Sequence, residues 1–462
     1  MSSSAVKSGS ERRRKPSQPG DANGRPDQHG KADRKGKAKE QGRGLSGEEK
    51  ARLGLLALPT LALALSITMV STYLSTVTRR YTHQTIVIGA IVGGEGVMAL
   101  WVPLIAGPWS DQMRSRVGGR LPFLIGGVVP AAVALALIGF VHSLVLVALV
   151  AAMFFCFYFV AYEPYRAMYP DLMDEDRVAG RAQSTQALAR GCGTGLALLG
   201  GGLLLSVARP LPFVVSAAVL VAATGAFVVL VLRRGLGSKT EPGNEPSDGP
   251  LKLAARLPGL VKKHPALRAY LFANALWETA LSGLKAFVVL YLTIGLHYKL
   301  TTASLIIGGV ALVILVGAGV VGKAGDRFGR IRVARVALIA YGLGFIVPAL
   351  TTSRPVIAGA IPFIALGGGA VMTLAYAILM PLMPEDEHGL LTGFYSVSRG
   401  IGIIAGPILA GLAIALTSNG PFAATHGFQG VWIVCAAAAL ASLPFLHRLR
   451  EAGEDRRELA EQ

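Results

Sequence analysis

Between Gly54 and Leu446 the chain alternates long apolar blocks with short polar breaks. Twelve such blocks fall at 54–75, 86–107, 121–141, 144–166, 184–207, 211–232, 267–295, 301–322, 333–351, 355–380, 391–417 and 428–446. Most are about 18–25 residues long, the length that crosses roughly 30 Å of hydrocarbon as α-helix. The pattern predicts an all-α integral membrane protein with twelve transmembrane helices. A polar, basic stretch at 233–266 divides the blocks six and six. The expected organisation is a tail at 1–50, a six-helix bundle at 51–232, a linker at 233–266, a second bundle at 267–450 and a short tail at 451–462. Residues 1–50 hold 13 basic and 7 acidic side chains and almost nothing large and apolar. Such a composition cannot bury a core, so a disordered segment is expected there, with no apolar stretch of the kind a secretory signal carries.

Composition sharpens this picture. The mean hydropathy is +0.52 and only 16% of residues are charged, where a soluble protein would carry about a quarter. A water-soluble multidomain enzyme is therefore disfavoured. The net charge of +18 needs no nucleic-acid partner, because membrane proteins accumulate Lys and Arg in their cytoplasmic loops. With the tail taken as inside, the even-numbered connections are the basic ones, including Arg114, Arg116, Arg120, Arg327, Arg330, Arg332 and Arg335. The odd-numbered ones carry only Arg79, Arg80, Arg209, Lys299 and Arg354. The charge asymmetry places both termini in the cytoplasm of a multi-pass plasma-membrane protein. Cys156, Cys192 and Cys435 all lie in apolar blocks and offer neither a disulfide framework nor zinc spacing. No phosphate-binding loop, nucleophile elbow or metal-spaced cluster is present in the sequence, so neither enzyme nor ATP-driven pump is expected, and no cofactor or metal.

The two halves repeat one another, as many carrier folds do. After the second block the chain reads SDQMRSRVGGR over 110–120, and after the eighth GDRFGR over 325–330. Ala161-Tyr162 precedes Pro170-Asp171 by the interval that separates Ala375-Tyr376 from Pro384-Glu385. Arg190-Gly191-Cys192-Gly193 matches Arg399-Gly400-Ile401-Gly402. The paired loops resemble the G-x-x-x-D-R-x-G-R-R signature of the major facilitator superfamily. That resemblance covers residues 51–450 and implies two pseudo-symmetric six-helix bundles. It also implies a cytoplasmic latch in which Asp111, Arg114, Arg116, Gly118 and Arg120 answer Asp326, Arg327, Gly329 and Arg330. The two glycines would permit the tight turn. Gln112 replaces the Arg of the first copy. The longer first loop, with Pro164-Tyr165-Arg166-Ala167 and Pro170-Asp171-Leu172, is similar to the sucrose–proton symporters and the glycoside–pentoside–hexuronide carriers. This implies cation-coupled movement of a glycoside or similar polar solute.

A charge in hydrocarbon costs about 2.5–3.5 kcal/mol on insertion scales, so an intramembrane charge needs a partner or a task. Glu95 sits near mid-bilayer within Gly93-Gly94-Glu95-Gly96, where small neighbours admit another helix. A carboxyl there suits a group that takes up and releases protons; a structural carboxyl bonded to a neighbouring helix is the plainer reading. Glu278 is again near the midplane and is the second candidate for carrying the coupling proton, with Lys285 about 10.5 Å further along the helix axis, too far for a simple pair. The superfamily lines its cavity with spans one, four, seven and ten, which places Glu278 and Lys285 well for solute contact. Asn274 and Trp277 in the same stretch suit a hydroxyl-rich solute, with packing as the alternative for Trp277. Glu163 and Arg166 are one turn apart and form either a local ion pair or a cytoplasmic gate. Arg190 and Arg399 recur between halves and read as structural partners of acidic loop residues such as Asp171 and Glu385.

The sequence thus predicts a monomeric secondary transporter in the lipid bilayer, taking a small-molecule substrate together with a coupling proton or other cation. Proton-coupled sugar symport is the first expectation. A proton antiporter exporting a drug or metabolite is the second, and a non-transporting sensor or scaffold the third.

Overall fold

The structure, a computed structural model, describes residues 47–112, 120–171, 176–233, 259, 262, 264–379 and 388–449. The tails, most of the 233–266 linker, and Arg114, Arg116, Gly118 and Glu385 lie outside the described residues, as do the side chains of Asp111 and Asp171.

Twelve helices are long and apolar enough to cross a membrane. In chain order they are α1 Gly47–Thr78, α2 Thr85–Gln112, α3 Leu121–Ile138, α4 Leu144–Asp171, α5 Asp176–Val207, α6 Leu211–Arg233, α7 Pro265–Leu290, α8 Leu300–Phe328, α9 Arg330–Leu350, α10 Arg354–Leu379, α11 His388–Thr417 and α12 Gly430–Ala441. A π-turn at Tyr291–Gly295 prolongs α7. The apolar blocks fix each helix, since in hydrocarbon every backbone N–H must find its carbonyl within the segment. Where the chain turns between α8 and α9, Gly329 takes φ +92°, a conformation open to glycine and costly for other residues. The tight turn expected at Gly329 is present.

Packing repeats with a shift of six helices. Helix α3 packs on α4 and α6 as α9 packs on α10 and α12, and α2 packs on α4 as α8 packs on α10. Each bundle has an aromatic interior. Phe154, Phe155, Tyr165, Phe213 and Phe227 fill the first, and Tyr270, Trp277, Tyr341 and Phe345 the second. Outward faces are apolar instead: Leu312, Val313, Val316 and Val320 of α8 are all exposed, as the lipid-facing stripe of a membrane helix must be.

The bundles meet along two seams, α2 with α11 and α5 with α8. Both seams depend on missing side chains. A Cβ at Gly89 would stand 2.2 Å from the Pro407 carbonyl oxygen, and one at Gly96 would stand 2.6 Å from that of Gly400. On the other side, Gly202 gives way to Ser304, which bonds to Tyr73 Oη of α1 at 3.0 Å. Thr85 donates to Gly411 O at 2.6 Å, closing the seam at the end where α1 joins α2. The Gly93–Gly96 run therefore admits a neighbouring helix, as its composition predicts, and that helix is α11.

Candidate functional site

Helix α11 lies between α2 and α7, and its glycines allow it to press against both. Gly402 O accepts a hydrogen bond from Ser282 Oγ of α7 at 3.0 Å, and a Cβ on Gly402 would meet Cβ of Glu278 at 2.5 Å. This approach carries Arg399 into the membrane interior. The result is a small, partly open cavity between the bundles, lined by Ser71, Val92, Glu95, Glu278, Ser282, Lys285, Arg399, Ile403 and Pro407.

Four ionisable side chains converge there. Arg399 Nε lies 3.4 Å from Glu278 Oε1, with the carboxylate only 13% exposed and the guanidinium 35%. Both belong to the second bundle. Opposite them, Glu95 of the first bundle is buried and accepts a hydrogen bond from Ser71 Oγ of α1. The same hydroxyl reaches Ile67 O at 2.7 Å. Lys285 makes no hydrogen bond or ion pair among the described residues, and its charge is the strongest that Glu95 feels. Glu278 and Lys285 line one cavity without pairing directly, as their spacing along α7 requires.

Other expected residues fall elsewhere. Asn274 is fully buried and donates through Nδ2 to Ser398 Oγ at 2.8 Å. Trp277 is 2% exposed, donates through Nε1 to Ser442 Oγ at 2.9 Å and meets Tyr270 edge-on. Neither lines the described cavity: α11 covers Asn274 and α12 holds the indole. Among the described residues the carboxylate partner of Arg399 is Glu278; the loop partners expected from sequence, Asp171 and Glu385, lie outside the described side chains. Ser71 and Ser282 were not singled out from sequence; one-turn spacing from Glu278 to Ser282 and on to Lys285 was the available signal for the latter.

Toward the tail side of α4, Glu163 pairs with Arg166 at 3.5 Å, the local pair expected from their spacing. Arg166 lies over the Tyr162 ring, which stacks on Tyr158 at 5.4 Å between centroids. Arg190 of α5 is exposed and makes no hydrogen bond or ion pair among the described residues, while its charge acts on Tyr162. In the second loop, Arg330 reaches Asp326 at 3.4 Å and donates to Ala377 O of α10 at 3.0 Å. Arg327 lies over the ring of Phe328. Arg120 stands just before α3. Among the described residues no group of three or more His, Cys, Asp or Glu side chains is placed to hold a metal ion.

Comparison with known proteins accords with this architecture. The chain is similar to a bacterial homologue of the human lysosomal transporter Spinster in an inward-facing, occupied conformation, with a TM-score of 0.70 at 15% identity over 88% of this chain and 98% of that one. It is also similar to the nucleoside transporter NupG, at 0.66 and 15% over 87% and 98%. At these identities the likeness concerns the fold alone. Among curated proteins it matches the MFS-type transporter YfiU of Bacillus subtilis, 26% identical over 22% of this chain and 19% of that protein. It matches a triacylglyceride transporter of Mycolicibacterium hassiacum at 25% over 31% and 25%, and Multidrug resistance protein 3 of Bacillus subtilis at 28% over 21% and 19%. The chain thus spans about a fifth of the length of the first curated relatives it matches. The sequence profile of the Major Facilitator Superfamily matches residues 56–300 and 279–462. With twelve spans, two repeated bundles and a charged cavity at their junction, this chain belongs to the Major Facilitator Superfamily of transporters.

Proposed function

We propose that this transporter is proton-coupled and moves a small polar solute by alternating access, with Glu95 carrying the proton. The observation that carries this reading is the placement of Glu95. It is the one ionisable group that the first bundle contributes to the cavity lining, facing Lys285, Glu278 and Arg399 of the second. Its hydrogen bonding accommodates a proton. Ser71 has one hydroxyl proton and two acceptors, Ile67 O and Glu95 Oε2. When the carboxyl is protonated it donates to Ser71, which then donates to Ile67 O alone, and every partner is satisfied. When it is ionised, Lys285 and Arg399 supply opposing charge. A site that suits both protonation states is what a coupling group requires. Lys285 and the Glu278–Arg399 pair form the solute-facing side. Glu163, Arg166 and the Asp326–Arg330 turn serve the tail-side gate, with both termini cytoplasmic.

The glycoside class rests on the resemblance of the 110–120 loop. The stretch similar to Multidrug resistance protein 3 favours a second reading, antiport of an exported compound. Purified chain in proteoliposomes distinguishes them. Symport acidifies the lumen as external solute enters, and antiport moves protons against the compound. In Glu95→Gln, accumulation driven by a pH gradient is lost while solute exchange between the two faces persists. Retention of gradient-driven accumulation in that variant would sink the role of Glu95.

A further inference from the structure

The charges around the cavity do not sum to zero in every state. Glu278 and Arg399 neutralise one another at 3.4 Å. What remains is Lys285, unpaired among the described residues, and Glu95 across the bundle junction. With Glu95 ionised the four groups balance. With Glu95 protonated, Lys285 is left as an uncompensated ammonium lining a cavity at mid-membrane. An unpaired charge in that setting is unfavourable by several kcal/mol, so it draws a counter-charge.

We propose that the solute is an organic monoanion whose carboxylate, sulfonate or phosphate ester binds Lys285 when Glu95 is protonated. This inference rests on the transporter reading above and names the chemical class of its solute. Lys285 is then shared: the Glu95 carboxylate holds its charge in the empty carrier, and the anion takes it over once the proton arrives. Proton and anion bind cooperatively through one ammonium, with no conformational relay needed between them. By reciprocity, the anion favours the proton on Glu95 by the same factor.

The groups facing Glu95 set the sign of the pH effect. They are Ser71 from α1, Tyr158 from α4, Lys285 and Glu278 from α7, and Arg399 from α11. Arg399 keeps its charge throughout and stays committed to Glu278. The carboxyl of Glu95 is the group whose charge changes, so anion affinity rises as pH falls.

The test uses the full chain in detergent with probes matched in shape and different in charge: benzoate, benzyl alcohol and benzylammonium, and gluconate against glucose. Binding is read by calorimetry and thermal stabilisation at about pH 5.5 and about pH 7.5, the lower value favouring the protonated carboxyl. Anions bind, and at least about threefold tighter at the lower pH, equivalent to ~0.7 kcal/mol. In Glu95→Gln the affinity is the same at both pH values. In Lys285→Gln it falls about tenfold or more, ~1.4 kcal/mol, and Lys285→Arg restores part of it. The unfolding midpoint of each variant without probe establishes that it is folded. Preference for the neutral or cationic members, or anion binding unaffected by Lys285→Gln, overturns the proposal. The same probes are then offered to proteoliposomes. Uptake of neutral or cationic probes with anions silent removes the anion assignment and leaves transport standing. Folded protein that moves no probe of any charge refutes the transport reading itself.

Discussion

Glu278 and Arg399 show what a single residue pair contributes here. Their sequence separation is large, but α7 and α11 are pressed together by Gly402 and Gly406, so the charges meet inside one bundle. Because the guanidinium is about a third exposed, the pair is worth far less than a dry ion pair, and the main penalty falls on whichever partner is left alone. Arg399→Gln and Glu278→Gln should each lower the unfolding midpoint. The double variant should be destabilised less than the sum, with a coupling of about 0.5–2 kcal/mol by a double-mutant cycle; strict additivity would show that the pair does nothing for stability. The individual charges were legible in the sequence, because an acidic or basic residue in an apolar block stands out. Their partners were not. Asn274, Glu278, Ser282 and Lys285 share one stripe of α7 by helical spacing, but only the packing of α11 separates the covered Asn274 from the cavity-lining three. Trp277 points off that stripe to Ser442 of α12, a contact that no local pattern encodes.

At the level of elements, all twelve spans were legible because the bilayer imposes a length and an apolar composition on each. The structure extends several of them into polar sequence, as where α8 runs on to Phe328, since helix continues while its backbone bonds are satisfied. The π-turn after α7 left no signal in hydropathy. Neither did the choice of seam helices, apart from glycines whose neighbours sequence alone does not name. Those glycines differ sharply in consequence. Gly89 has the Pro407 carbonyl where a Cβ would go, whereas Gly94 has nothing within 4 Å. Gly89→Val should therefore cost about 1–3 kcal/mol by overpacking the α2–α11 seam. Gly94→Ala should be neutral or stabilising by up to about 1 kcal/mol through helix propensity. Thermal unfolding of the two purified variants compares them directly; equal effects would mean that α11 does not lie where the seam places it.

For the whole molecule, the twelve spans put both ends of the helical body on one face, and the charge asymmetry of the loops is the ground for the proposal that this face is the cytoplasmic one. Three of the cations on the opposite face, Arg79, Arg209 and Arg354, are engaged by their surroundings. Arg354 lies over Tyr298 and donates to Leu296 O, Arg209 lies over Tyr81, and Arg79 donates to His83 O. With Cys156, Cys192 and Cys435 replaced, a cysteine at Ser353 should react with an impermeant maleimide on intact cells. One at Arg327 should react only after permeabilisation, and the reverse pattern would invert the topology. The division of charge between the bundles has a consequence for leakage. Rocking leaves the Glu278–Arg399 pair untouched, because both partners ride on the same body. It must, however, carry an ionised Glu95 away from Lys285. With Glu95 as the proposed coupling group, a carrier that has shed its proton and holds no solute would work against that attraction on every attempted swing. One loaded with both a proton and an anion has no opposite charges left to pull apart across the junction. On the proposed coupling the junction would therefore act as an electrostatic clutch, holding hardest in the empty ionised state and turning most freely when fully loaded.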